Sequence, residues 1–196
     1  MPFLTINEIL DIIIMTAALG YIFADVFSRY SHKQHDNYDP LKHYKSIAHG
    51  YDWQSFKFAC YVTAPAIILH ELGHKITALS FGLEATFHAA YSWLGLGILL
   101  KLLNTGFIFF VPAYVAHSGF ATPLEATAIA FAGPFVNLLL WFGSWFILNY
   151  KLCSKKNIAF FHLTKYINMI LFFFNMIPIF GFDGQHVLNG IMKAFF

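Results

Sequence analysis

Charged residues are scarce in this sequence: Asp, Glu, Lys and Arg make up 11% of its 196 residues, while hydrophobic residues make up 58%. An ordinary soluble domain is about 25% charged and about 45–50% apolar. The composition therefore excludes an ordinary soluble domain and indicates one compact, multi-pass protein of a cell membrane. The formal net charge is only +2. Since no dense basic cluster is present and the length leaves no room for a separate soluble domain, we expect no nucleic-acid partner and no nucleotide-binding domain.

Cysteine is equally rare, with only Cys60 and Cys153 in the chain. Two cysteines are too few for a disulfide framework or a thiolate metal cage, and we interpret both as small apolar fillers. A recognisable cleavable signal is missing as well, because the first apolar stretch lacks a basic start. That stretch is long enough to be a retained span, and we expect it to stay in the membrane.

Long apolar runs are what the sequence has in abundance. Four of them, over residues 6–26, 56–79, 124–148 and 159–180, are long enough to cross a hydrocarbon layer of about 30 Å. Residues 185–196 form a tail of about one half-helix. We predict an all-α polytopic membrane protein with about four full transmembrane helices, a re-entrant and partly β-like element, and a C-terminal half-helix. Residues 1–55 would be an N-terminal anchor helix with a polar loop, and residues 56–196 a membrane-embedded core.

The region 83–123 does not fit a simple span. Its apolar part, residues 94–103, is too short to cross a bilayer as a helix. Residues 107–111 and the pair Tyr114-Val115 are rich in β-forming types. Irregular backbone survives at membrane depth only where protein or water satisfies it. We therefore predict re-entrant strands or half-helices that line a cavity, where an extended peptide could pair by strand addition.

The pentad His70-Glu71-Leu72-Gly73-His74 is the strongest chemical signal, because it lies inside the second apolar run. Residues four apart share one face of a helix, so both histidines can present a ring nitrogen to one zinc ion. Glu71 lies about 100° further round the helix and can handle a proton of a zinc-bound water. Polar groups this deep in lipid are costly, at about 2.5–3.5 kcal/mol for a charge. We therefore expect a metal to stabilise this turn.

A third, carboxylate ligand from further along the chain must be Glu84, Glu125 or Asp183, because these are the acidic residues after His74. Asp183 follows a broken apolar helix and has a glycine on each side of Phe182-Asp183, so the chain can bend there and present its carboxylate. Glu125, at the start of the third run, is the next candidate. The spacing alone leaves the choice open.

The other histidines make weaker candidates. Four of them, His32, His35, His43 and His49, lie in the polar stretch 28–55 without the spacing of a helical pair, so we interpret that stretch as a solvated loop. His88 and His117 are interpreted as hydrogen-bonded or interfacial side chains. Asn137 is polar inside the third run, where an interhelical hydrogen bond is the simplest interpretation.

Three separated motifs occur in a fixed order: His-Glu-Leu-Gly-His at 70–74, Gly-Pro-Phe-Val-Asn at 133–137, and Asn175-Met-Ile-Pro178 leading to Asp183-Gly184. From about residue 56 onward, the sequence resembles the site-2 protease family of intramembrane zinc metalloproteases. It departs from the family in having Phe182 where leucine is more common, and no PDZ-like or CBS-like regulatory domain is recognisable.

The resemblance implies a function and a set of site residues. It implies one Zn²⁺ held by His70, His74 and Asp183, with Glu71 as the catalytic base. It also implies that Asn137 and Asn175 bind the substrate backbone or stabilise the transition state. The implied reaction is hydrolysis of a peptide bond within or next to a transmembrane helix of a membrane-protein substrate, and residues 56–196 would be the metalloprotease core.

Two alternatives stay open at this point. A non-enzymatic metal-binding or metal-transport protein of the membrane would also use two histidines and an aspartate, but it gives no reason for Glu71. A membrane zinc protease acting on soluble chains would take a glutamate, here Glu125 or Glu84, as its third ligand. Orientation is open too: the Lys and Arg content of the loops 28–57 and 149–158 places both loops in the cytoplasm. The family resemblance instead places the metal site nearer the cytoplasmic face, opposite those loops.

Overall fold

Helices make up most of the chain. The computed structural model describes residues 3–32, 52–105 and 112–195. In chain order, its elements are α1 (Ile6–His32), α2 (Trp53–Ser80), β1 (Glu84–Ala89), α3 (Tyr91–Leu102), β2 (Ala113–Ser118), α4 (Pro123–Asn149), a 3₁₀ turn (Lys155–Asn157), α5 (Ile158–Asn175) and α6 (Asp183–Phe195). The histidine-rich segment and the β-forming run 107–111 singled out in the sequence lie largely or wholly outside the described residues.

Three of these helices are long and apolar enough to cross a membrane: Ile6–Ser28, Pro123–Asn149 and Lys155–Asn175. The chain is thus a multi-pass, mostly helical membrane protein with a small two-stranded sheet. The remaining predicted span, over residues 56–79, is also a helix, α2, with 28 residues. It does not belong to the apolar candidates, and its buried residues include His70, Glu71, His74 and Lys75. The helix that carries the pentad is therefore the most polar of the long helices.

The predicted end of the fourth span was wrong. We expected a helix over residues 159–180, but α5 ends at Asn175. Pro178 explains the early end, because proline has no N–H to continue the helical hydrogen bonds and disfavours helical geometry in the residue before it. The chain then bends through Gly181, which has a φ of 94°, and α6 begins at Asp183. This break directs Asp183 back toward α2.

The region after α2 forms a β-hairpin around a short helix. Strands β1 and β2 are antiparallel, with Phe87 opposite Val115 and Ala89 opposite Ala113. Helix α3 connects them and has only 12 residues, as its short apolar run predicted. The extended backbone predicted at Tyr114-Val115 is confirmed by β2.

Helix α1 holds this hairpin against α2 through two carboxylates. Glu8 accepts hydrogen bonds from the Lys75 ammonium and from the backbone N–H of Phe87, the latter at 2.7 Å. Asp11 accepts from the Ala89 N–H at 3.2 Å and from the Tyr91 hydroxyl. Two outward N–H groups of β1, those of Phe87 and Ala89, are therefore satisfied by α1 side chains, much as a third strand would satisfy them.

Candidate metal centre

Three side chains from two distant helices meet at one point. His70 and His74 lie one turn apart on α2, and Asp183 is the first residue of α6. The distance from His70 Nε2 to His74 Nε2 is 3.1 Å. Asp183 Oδ2 lies 3.2 Å from His70 Nε2 and 3.4 Å from His74 Nε2. Within the described ranges, this is the group of His, Cys, Asp and Glu side chains placed to share a metal ion.

The hydrogen bond at Nδ1 of His74 indicates the protonation of its Nε2, one of the three converging atoms. His74 Nδ1 lies 2.7 Å from the carbonyl oxygen of Ile129, and a carbonyl only accepts. Nδ1 must therefore carry the hydrogen, which leaves Nε2 of the neutral ring as a bare acceptor. A carboxylate oxygen and a second ring nitrogen face it. Three acceptors that converge without a hydrogen between them repel one another, and a cation removes that repulsion.

The spacing fits zinc. Ligand atoms at roughly 2.0–2.1 Å from a tetrahedral Zn²⁺ lie about 3.3 Å from one another, close to the three distances of 3.1, 3.2 and 3.4 Å. Two nitrogens and one oxygen are also a donor set that zinc prefers. Three protein ligands leave the fourth position for water or substrate, as a catalytic zinc site requires.

The motif Gly133-Pro134 places α4 against this site. A Cβ on Gly133 would lie 2.7 Å from His70 Nε2 and nearer still to His74. Gly73 has the matching role on α2, since a Cβ there would lie 2.9 Å from the backbone oxygen of Ala132. Gly73 therefore lets the backbone of α4 approach α2 closely. Both glycines are thus required by contact between the two helices.

The other carboxylates considered as third ligands have different partners. Glu125 accepts hydrogen bonds from the backbone and hydroxyl of Thr122 at the start of α4, where the two residues form a capping box. Glu84 begins β1 and lies 3.3 Å from the Ser118 hydroxyl. Of the three acidic residues after His74, Asp183 is the one that meets the histidine pair.

The site opens into two cavities of different character. One, of about 800 Å³, is lined by β2, α4 and α6 and has polar side chains such as His117, His186 and Lys193 at its wall. The other, of about 400 Å³, is lined mainly by apolar side chains of α1 and α5, including Phe23 and Ile170. Both cavities share His70, Glu71, Ala113, Asn175 and Phe182 in their walls. Glu71 is thus buried where the two spaces meet.

The two asparagines that were predicted to bind substrate lie in different places. Asn175 ends α5 and lines both cavities. Asn137 is fully buried and lies behind His70, with its Oδ1 2.5 Å from His70 Nδ1. Of the two other histidines considered, His117 lines the larger cavity, and His88 lies 3.8 Å from Asp11. Sequence reasoning did not single out Asn168; its one signal was a polar residue inside an apolar run.

Comparison with known proteins decides the family. The chain is 32% identical, over 187 residues, to a protein of Methanocaldococcus jannaschii that is provisionally named a zinc metalloprotease; the match covers 93% of this chain and 84% of that relative. The model of peptidase family M50 matches residues 149–196, which include Asn175 and Asp183. This chain belongs to peptidase family M50. The resemblance to site-2 proteases is thereby confirmed.

A second relative is matched over a smaller part of its length. A protein of Synechocystis sp., also provisionally named a zinc metalloprotease, is 28% identical over 152 residues. That match covers 78% of this chain but only 36% of the relative. No solved structure matches the chain significantly. As an M50 peptidase, the chain is a zinc metalloprotease with membrane-spanning helices, and family membership implies zinc at its candidate His-His-Asp site.

Proposed function

We propose that this M50 peptidase is an intramembrane protease that hydrolyses a peptide bond within or next to a transmembrane helix of a membrane-protein substrate. One observation carries the proposal: three converging acceptors, His70, His74 and Asp183, lie among membrane-length helices and open on one side to an apolar cavity. In this proposal α2 is a fourth membrane helix, and residues 56–196 form the catalytic core behind the N-terminal segment 1–55.

The chemistry divides between the metal and the protein. Zinc held by His70, His74 and Asp183 would supply a Lewis acid for the carbonyl and the attacking water. Glu71, buried beside His70, would take a proton from that attacking water and return it to the leaving amine. Asn175, like Glu71, lines both cavities, and its carboxamide can hold the substrate backbone in place while the peptide bond is attacked.

A substrate helix must unwind before this chemistry, because a helix hides its carbonyls in internal hydrogen bonds. The apolar cavity between α1 and α5 suits side chains that arrive from lipid, and the larger cavity has polar side chains that suit an exposed backbone. We place the unwound segment along β2, which lines the larger cavity.

The register of the hairpin identifies the edge that is open to such a segment. The N–H groups of Phe87 and Ala89 turn away from β2 toward α1. In an antiparallel pair, directly opposed residues either exchange both hydrogen bonds or none. Val115 and Ala113, which stand opposite them, therefore also turn their N–H and C=O groups outward. Both line the larger cavity, where a substrate strand can pair with them.

The test is cleavage of a single-span reporter in liposomes by purified protein, alongside its zinc content. Glu71→Gln should keep zinc and lose cleavage by at least about 100-fold, as expected for a general base. Asp183→Asn should lose both zinc and cleavage. Glu125→Gln, the matched carboxylate control at the start of α4, should keep both.

Two results would contradict the proposal. Loss of cleavage in Glu125→Gln with Asp183→Asn unaffected would assign the third ligand to the glutamate of a protease for soluble chains. Cleavage of an unfolded soluble chain with no cleavage of any membrane reporter would remove the transmembrane substrate.

A further inference from the structure

A chain of two carboxamides runs from α5 through α4 to the metal site. Asn168 of α5 and Asn137 of α4 are both 0% exposed. Asn168 Oδ1 accepts from Asn137 Nδ2 at 2.8 Å, and Asn137 Oδ1 lies 2.5 Å from His70 Nδ1. Neither asparagine lines either cavity next to the metal site, so a substrate in those cavities does not reach them.

Backbone carbonyls determine how each carboxamide is turned. Asn168 Nδ2 donates to the Thr164 carbonyl at 2.8 Å, and Asn137 Nδ2 donates to the Ala66 carbonyl at 3.2 Å. A carbonyl oxygen can only accept, so the nitrogen end of each side chain must face it. The oxygen of Asn168 then faces Asn137, and the oxygen of Asn137 then faces His70. Turning either side chain over would oppose two acceptors in a buried site.

The orientation of Asn137 determines the tautomer of the His70 imidazole. Because Asn137 presents an oxygen, His70 Nδ1 must donate and therefore carries the ring hydrogen. Nε2 of the neutral ring is left as the lone-pair atom, and it is Nε2 that lies 3.2 Å from Asp183. A hydrogen bond to the second nitrogen of a metal-binding histidine fixes its tautomer and ring orientation. For His74 the backbone carbonyl of Ile129 accepts this hydrogen bond. For His70 the acceptor is the side chain of Asn137.

We infer that Asn137 and Asn168 are positioning residues that act in series to hold His70 in the tautomer that binds zinc. This assigns Asn137 a role different from the substrate contact expected from its sequence motif, and it assigns a role to Asn168, one helix further away. The inference rests on the metal site of the proposed function, but not on the identity of the substrate.

Zinc affinity is the measurement, taken by competition with a chelator on purified full-length protein, so that no substrate is needed. Loss of such a supporting hydrogen bond costs about 10–100-fold in metal affinity. Asn137→Leu should weaken zinc binding by about that factor. Asn168→Leu should weaken it less, because Asn137 keeps its bond to Ala66. Asn137→Asp, which retains an oxygen toward His70, should bind zinc more tightly than Asn137→Leu.

The double variant Asn137→Leu/Asn168→Leu tests most directly whether Asn168 acts through Asn137. If Asn168 acts through Asn137, the double variant should bind zinc as Asn137→Leu does, with no further loss. Thr164→Val is the matched control on α5, because the Thr164 hydroxyl is buried and has no hydrogen-bond partner within the described part of the chain. Its zinc affinity should equal that of the wild type.

Several outcomes would overturn the inference. Zinc affinity within about twofold of wild type in Asn137→Leu, with an increased KM for a cleaved reporter, would restore the substrate-binding role. Additive losses in the double variant would show that Asn168 acts independently. Thermal unfolding of the zinc-free proteins distinguishes a general packing defect from a loss of zinc binding. A purely structural role would lower the stability of all variants, and their zinc affinities would not follow the order expected above. Weak zinc binding by the wild type would instead count against the proposed function.

Discussion

His74 and Lys75 are neighbours in sequence, yet they lie in opposite electrostatic situations on two sides of α2. The Lys75 ammonium is only 2% exposed and is paired with Glu8, which also accepts from the backbone of Phe87. Around His74, three acceptor atoms lie within 3.4 Å of one another. One side of the helix is a closed set of opposite charges, whereas the other side presents converging acceptor atoms that a cation can bind.

Both sides of α2 are buried, but one side stabilises the fold and the other is arranged for chemistry. A buried charge with a matched partner holds elements together, and here Glu8 joins α1, α2 and β1. Buried acceptors without a donor keep their desolvation cost until a ligand supplies the missing charge. We therefore expect substitutions on the Lys75 side to change stability and substitutions on the His74 side to change zinc binding.

The largest effect should come from Glu8→Gln. Removing one partner of a buried ion pair costs about 3–5 kcal/mol, because the other charge is left in a poor environment. Glu8 and Lys75 are 1% and 2% exposed. Denaturant unfolding in detergent should show this loss, while the folded fraction keeps its zinc affinity.

Asp25→Asn is the exposed counterpart of that variant. Asp25 lies 3.2 Å from Lys101, but its side chain is 81% exposed. Loss of such a surface pair should cost less than about 1 kcal/mol. Equal losses of unfolding free energy in Glu8→Gln and Asp25→Asn would show that the buried pair stabilises the fold no more than the exposed pair.

Gly133→Ala should have the opposite result to Glu8→Gln, because it alters the surroundings of the histidine pair and should lower zinc affinity. The new Cβ would lie 2.7 Å from His70 Nε2 and closer still to His74, so the histidine pair or α4 must move. Overpacking of this kind costs about 1–3 kcal/mol, and zinc affinity should fall by more than about 10-fold, as when a ligand is misplaced.

Gly143→Ala lies on the same helix, and a Cβ there would meet no atom within 4 Å. It should keep zinc affinity at the wild-type level. If both glycine variants bound zinc alike, the close approach of α4 to the metal site would have no functional consequence.

A smaller effect than that of Glu8→Gln or Gly133→Ala is expected for Tyr91→Phe, which removes one hydroxyl donor from Asp11. The Tyr91 side chain is exposed, and Asp11 keeps the N–H of Ala89. Denaturant unfolding should show only a small loss of stability, with zinc affinity and reporter cleavage unchanged. A large loss of zinc would mean that the hairpin anchor and the metal site are not separate.

Local rules account for what could be predicted from the sequence. The i, i+4 spacing of His70 and His74 is a property of any helix, and the break before Asp183 follows from Pro178 and Gly181. The short helix α3 was predictable because its apolar run cannot cross a bilayer. Each of these features depends on residues that are close in the chain.

Partners across long sequence separations were not predictable. The pair Glu8–Lys75 joins the first helix to the second, and acidic residues at the start of α1 were equally explained by the helix dipole. Likewise, the carboxamide of Asn137 suggests a hydrogen bond but not whether substrate, helix or histidine receives it. Only the packing of α2, α4 and α5 against one another decides that question.

The position of Asp183 as the first residue of α6 has a consequence for the biosynthesis of the protein. Membrane helices emerge from the ribosome in order, so a partly made chain holds both imidazoles of α2 long before it has the carboxylate that completes the ligand set. Under the proposed function, full coordination, and with it hydrolytic competence, would arise only after the last of the long helices has been translated and α6 has folded back. The nascent protease would then be inactive toward neighbouring membrane proteins during its own synthesis.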